Sequence, residues 1–164
     1  MNEKTQWYIG APNGVILCVD RLHAGQPAGR LYHSYQEQAA PFEDAQQMVL
    51  LMEALYDELR FPHPSTNERS FTEVKKEVRQ NTERKKVMSD DALLSKHGDI
   101  GTFIVRVQHR QNSSWQGRIT WMEEDKTIYF RSVWEMIKLI ESAVDTVSEQ
   151  EDEEGAGQDW FPQE

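Results

Sequence analysis

Three arginines carry most of the chemistry that residue type and spacing offer in this chain. Arg30 follows Gly29 and precedes Leu31-Tyr32, Arg106 lies in Phe103-Ile-Val-Arg-Val-Gln108, and Arg118 lies in Trp115-Gln-Gly-Arg-Ile119. In strands that alternate with period two, Arg30, Tyr32, Arg106, Gln108, Gln116 and Arg118 share one face. Arginine's planar fork suits two-point contact with phosphate or carboxylate, and Tyr32 offers a ring for stacking. The same side chains also fit a solvated sheet face on which the arginines pair with Asp20, Glu37 and their neighbours. Asn112, in the connection ahead of Trp115, and Trp134, on an outward helix position, complete the candidate ligand- or partner-binding set.

Other chemistries find no support in the spacing. The five histidines, His23, His33, His63, His97 and His109, show no metal-ligand pattern, and one cysteine adds nothing to them. There is no GxGxxG or Walker A loop, and no GxSxG elbow. Cys18 sits within an apolar strand, where a small buried thiol is the simpler reading than a nucleophile. Acids abound, but no pair of them is singled out as acid and base. The reading assigns no catalytic residue, metal or cofactor.

The positioning elements come from an internal correspondence. Residues 15–57 align with residues 103–145 without a gap, at an offset of 88. Ile16, Val19, Gly29, Arg30, Phe42, Met48, Leu51, Glu53 and Asp57 recur as Ile104, Val107, Gly117, Arg118, Phe130, Met136, Leu139, Glu141 and Asp145. Chance gives roughly two or three identities over such a window.

Each copy reads as strand, strand, helix. Val15 to Leu22 and Arg30 to Tyr35 are β-rich, and Phe42 to Leu59 has helical spacing with Asp44 and Gln47 as a capping pair. In the second copy Thr102–His109 and Trp115–Met122 alternate, and Ser132 with Glu135 caps a helix with a Val133, Met136, Ile137, Ile140, Val144 stripe. A hairpin loop over Arg110–Ser114 pairs Phe103 with Trp121, Val105 with Ile119 and Val107 with Gly117. It also sets Arg106 opposite Arg118 and Gln108 opposite Gln116. The same register in the first copy pairs Cys18 with Arg30 and Asp20 with Ala28. Two arginines face to face are unfavourable unless an anion, Asp20 or a ligand, lies near.

The expected architecture is α+β: a tandem ββα repeat forming a four-stranded antiparallel sheet with both helices on one face. Residues 1–60 hold the first unit and an N-terminal arm, 61–101 a linker with a basic polar helix, 102–148 the second unit, and 149–164 a disordered acidic tail. The basic helix, expected from Phe71 to about Val87, either bridges the units or docks an acidic partner, with the tail as one candidate. Ser89 to His97 adds a short helical turn. The net charge of -10 is concentrated at the end: residues 145–164 carry eight acids and no Lys or Arg, so the remainder does not repel an anionic ligand. A single cysteine, no secretory start and no long apolar run suit a cytoplasmic protein.

The stretch Arg110-Gln-Asn-Ser-Ser-Trp115-Gln-Gly117, followed by Phe130-Arg-Ser132 and Glu135-Met-Ile-Lys-Leu-Ile140, resembles a small family of uncharacterised Firmicutes proteins. These share an RQNxxWQG hairpin and an FRSxxELIxLI helix. The resemblance covers about residues 100–145 and brings no activity with it. Any single-copy relative should be a homodimer, with this chain as a fused pseudo-dimer, monomeric rather than a large oligomer. The first copy lacks counterparts of Trp115 and Asn112. The functional expectation is a non-enzymatic module that binds another protein. Nucleotide or nucleic-acid binding through the arginine face is the alternative, and an enzyme with a site between the repeats a third reading.

Overall fold

A computed structural model describes Ile9, residues 12–63, Phe71, and residues 85–110 and 114–158, with side chains to Glu149. The chain runs β1 (Val15–His23), β2 (Gln26–His33), β3 (Gln36–Phe42), α1 (Ala45–Leu59), α2 (Asp90–Leu94), β4 (Gly101–His109), β5 (Gln116–Trp121), β6 (Lys126–Phe130) and α3 (Val133–Gln158). The strands form one antiparallel sheet in the order β3-β2-β1-β4-β5-β6.

The fold is α+β, with a six-stranded sheet where four strands are expected from the sequence. Phe42, expected in the helical stretch, and Phe130, the first residue of the FRSxxELIxLI helix motif, are instead the buried last residues of β3 and β6. The helices begin three residues later, behind the caps. Asp44 Oδ1 accepts from Gln47 N at 2.8 Å, and Ser132 Oγ accepts from Glu135 N at 3.1 Å. Gln47 and Glu135 reach back to the amides of Glu43 and Arg131. Both ends satisfy otherwise orphaned helix donors in the same way.

The hairpin registers correspond position for position under the offset of 88. Val15 pairs with His33 as Phe103 pairs with Trp121, and Gly29 with Phe42 as Gly117 with Phe130. In the central pair Ile16 faces Ile104, and Val15–Val105 mirrors Leu17–Phe103, so exchanging the units maps the β1–β4 register onto itself. The correspondence ends at the β2–β3 turn, where the register shifts between Leu31 and His33; β5–β6 has no such shift.

The expected pairs Phe103–Trp121, Val105–Ile119, Arg106–Arg118, Val107–Gly117 and Cys18–Arg30 are present. Two others are corrected by a bulge. Asp20 and Gln108 are extra residues at equivalent points, so Arg21 rather than Asp20 pairs with Ala28, and His109 rather than Gln108 pairs with Gln116. The bulge presses backbone against the facing strand. A Cβ on Gly29 would lie 1.9 Å from the Cys18 carbonyl oxygen, and one on Gly117 2.1 Å from that of Arg106. This close approach accounts for glycine at both positions.

One face of the sheet packs on α1 and α3. Val15, Leu17, Val19, Leu31, Phe103, Val105, Val107 and Ile119 meet Met48, Met52, Leu55, Tyr56, Met136, Ile140, Ala143 and Val144 in a single core. The other face is not simply open. At its centre Leu93 of α2 joins Ile9, Ile16, Cys18, Tyr32, Ile104 and Met122 in a second cluster.

Residues 72–84, most of the expected basic helix, lie outside the described residues. Lys85–Val87 are not helical, and the amides of Val87 and Met88 donate to the Ser34 carbonyl at 2.7 and 3.0 Å. At the C-terminal end, α3 continues through Gln158 where a disordered tail is expected; Glu, Gln and Ala favour helix and no proline intervenes before Pro162. Residues 159–164 lie outside the described residues. Among the described residues no helix is long and apolar enough to cross a membrane.

Candidate functional site

In the first unit the bulge aims Asp20 at Arg30. Arg30 Nε donates to Asp20 Oδ2 at 2.9 Å and Nη2 to Oδ1 at 3.1 Å. Its remaining donors reach the Tyr32 hydroxyl at 2.7 Å and the His97 carbonyl at 2.9 Å. The Asp99 amide adds a 3.2 Å bond to the same carboxylate. Partial burial pushes the Asp20 carboxyl upward, but the Arg30 hydrogen bond, the Asp99 amide and the arginine charges outweigh it and hold the group below its ordinary range. Tyr32 is buried, with Arg30 and Lys96 over its ring at 5.5 and 5.2 Å. Beside them, burial pushes the Cys18 thiol up to about 11. Arg30 and Tyr32 thus belong to an internally paired group that fastens residues 96–99 to the sheet.

The second unit places other residues on the same scaffold. Arg118 stands opposite Arg106, and Tyr129 is in register on the other flank of Arg118. Arg106, Gln108, Gln116 and Arg118 are half-buried, while Tyr129 is 65% exposed. Gln116 Nε2 donates to the Arg131 carbonyl at 3.4 Å. Asn112 lies outside the described residues. Trp134 is 67% exposed on α3, with the Lys138 ammonium 4.7 Å from its ring centre. It lies apart from the arginines, which face away from the side of the sheet that carries α3.

Two features lay beyond the sequence reading. Arg110, placed there in a loop, is buried. Its Nε donates to the Pro62 carbonyl at 2.6 Å, its Nη1 pairs with Asp57 at 2.8 Å, and its guanidinium lies 5.9 Å from the Tyr56 ring centre. Trp115 meets that ring edge-on at 5.5 Å, and burial lifts the Tyr56 hydroxyl well above the usual phenol range. This cluster clamps the β4–β5 hairpin to the end of α1. Its aromatic members had a signal in their size; Arg110 had none, because its burial depends on where α1 ends.

The second feature is a cavity of about 190 Å³ between α3 and the β5–β6 edge. Phe103, Ile119, Trp121, Ile128, Leu139 and Ala143 line it, with Lys126 at its border. At two lining positions the units differ in side-chain size, and in opposite senses. Ala143 stands where the first unit has the buried Leu55, and Ile128 where it has Ala40. Ile128 is 47% exposed, and β6 is the last strand of the sheet.

Among the described residues no three His, Cys, Asp or Glu side chains converge in a way that suits a metal ion. Comparison of the chain with protein-family models, curated proteins and solved structures returns no match.

Proposed function

We propose that this chain is a non-enzymatic, cytoplasmic binding module, a fused pseudo-dimer of two βββα units, whose second unit receives an extended segment of another protein along β6. The duplication rests on registers, caps and bulges that coincide under one offset. A cytoplasmic setting accords with a single, buried, free cysteine.

The observation that carries the binding reading is the apolar cavity beside the sheet's edge strand. An added strand bonds through its backbone and sends alternate side chains to opposite faces. One apolar side chain of the partner enters beside Ile128 and Ala143, and a neighbouring carboxylate meets Lys126. Trp134 supplies further exposed aromatic surface on this unit.

A displayed library of linear peptides, selected on the full chain, tests the proposal. Enriched peptides should combine an apolar anchor with a nearby acid and lose roughly tenfold or more in affinity on Ala143→Leu, which adds three carbons to a residue lining the space. A library that enriches nothing, or peptides that bind the Ala143→Leu protein as tightly, would overturn it.

A further inference from the structure

The first unit supplies an internal template for a ligand site in the second. The offset that carries Arg30 onto Arg118 carries Asp20 onto Gln108 and Cys18 onto Arg106. Asp20 and Gln108 are the extra residues of equivalent bulges, and Cys18–Arg30 and Arg106–Arg118 are equivalent cross-strand pairs. In the first unit the bulge carboxylate occupies the arginine fork at 2.9 and 3.1 Å. In the second the bulge offers an uncharged amide, and a second guanidinium stands opposite. At neutral pH the trio Arg30, Asp20 and Cys18 sums to no net charge, whereas Arg118, Gln108 and Arg106 sum to two positive charges.

Arg106 has interactions of its own, so the inference turns on Arg118, which makes no hydrogen bond or ion pair with a described residue. Like charges directly opposite each other on a sheet are unfavourable, and an oxyanion bridging them reverses the sign of that interaction. Two guanidinium groups match a dianion better than a single carboxylate. Tyr129, in register with Arg118 and largely exposed, presents a ring beside the site.

We infer that Arg118 and Arg106, with the Gln108 amide beside them, bind a phosphate monoester, and that Tyr129 packs against the ring system attached to it. This site lies on the face of the sheet opposite the cavity, so it is independent of the peptide-binding proposal.

Titration of the full chain at low salt with inorganic phosphate, adenosine 5′-monophosphate, adenosine and succinate reads this directly. Both phosphate probes should bind, the nucleotide more tightly, and added salt should weaken both. Arg118→Gln should lose roughly tenfold or more in affinity for both. Tyr129→Ala should weaken the nucleotide while leaving inorganic phosphate unchanged. Gln108→Asp is the sharper variant because it installs the first unit's carboxylate. It should abolish phosphate binding and raise the melting temperature together. Neither phosphate probe saturating below about 10 mM, a preference for succinate, or unchanged phosphate affinity in Gln108→Asp or Arg118→Gln would each overturn the assignment.

Discussion

Replacing Asp20 with asparagine removes one charge from the Arg30 group while nearly preserving its shape. In the parent protein the carboxylate accepts two arginine bonds, at 2.9 and 3.1 Å, and the Asp99 amide at 3.2 Å. Asparagine keeps one acceptor oxygen for the three donors. A hydrogen bond to a charged group contributes about 1.5–3 kcal/mol, and screening lowers that where solvent reaches the pair. The Arg30 and Asp20 side chains are 36% and 20% exposed, and Arg30 retains the Tyr32 hydroxyl and His97 carbonyl. The expected cost is therefore about 1–2 kcal/mol, or roughly 2–8 °C in melting temperature for a chain of this size. The Asp20 carboxyl is held below its ordinary value of 3.8 in the folded protein. Its contribution is thus present above that pH and disappears as pH falls through the lowered folded value. Urea unfolding of the two proteins should show a constant gap between about pH 5 and about pH 8 that closes in more acidic solution. A double-mutant cycle with Arg30→Met should return most of the loss as pair coupling. A gap below about 0.3 kcal/mol, or one that persists unchanged at about pH 2, would refute the electrostatic account.

Three further outcomes follow from the same geometry. Gly117→Ala places a Cβ 2.1 Å from the Arg106 carbonyl oxygen and should cost about 2–4 kcal/mol by chemical denaturation, with Gly29→Ala comparable. Arg110→Met keeps much of the stem's packing but leaves the Pro62 carbonyl without its arginine donor and Asp57 without its cation. A loss of about 2–3 kcal/mol is expected, together with greater protease sensitivity at the β4–β5 connection. Cys18, fully buried with its thiol pushed up to about 11, should react with an aromatic disulfide reagent at about pH 8 only as fast as the protein opens, and promptly in denaturant.

The strands legible in the sequence were those with two distinguishable faces. In β4, Phe103, Val105 and Val107 alternate with residues of the other face, and in β5 Gly117, Ile119 and Trp121 do the same, which fixed both the hairpin and its register. β3 has no such signal. Gln36-Glu-Gln-Ala-Ala-Pro41 has no alternation and Phe42 goes with the helical spacing that follows, yet an edge strand bonds on one side only and tolerates polar residues and Pro41. β6 did carry a signal in Thr127-Ile128-Tyr129-Phe130, but it is short and follows an acidic turn. The bulges had none: one inserted residue leaves the local pattern intact and changes only the partner, which is why Asp20–Ala28 and Gln108–Gln116 failed while their neighbours held. Of the candidate site, the face-to-face arginines of the second unit were legible from alternation. The closure of Arg30 was not, because its His97 and Asp99 contacts come from a segment more than sixty residues away in sequence.

Small compensations show how the two units keep one backbone while their surfaces diverge. In the first unit the Ile100 amide donates to the Val19 carbonyl at 2.9 Å. The offset turns that bond into one from residue 12 to Val107, and residue 12 is proline, which has no N–H to give. The Asn13 side-chain amide donates to the Val107 carbonyl instead, so a buried acceptor stays satisfied after the backbone donor is gone. No equivalent repair by a described residue exists at Arg118: Gln108 replaces the carboxylate, and Arg106 adds to the positive charge. Ala143 stands where the first unit carries the larger Leu55, and the space beside it is open. The Val107 carbonyl gains a side-chain donor next door, while the second unit has Gln108 in place of a carboxylate and an open space beside Ala143, on opposite faces of one sheet. That contrast is the ground on which both proposals place binding in the second unit: the backbone acceptor at Val107 keeps a donor, whereas the described residues supply no carboxylate at Arg118 and leave the space beside Ala143 open.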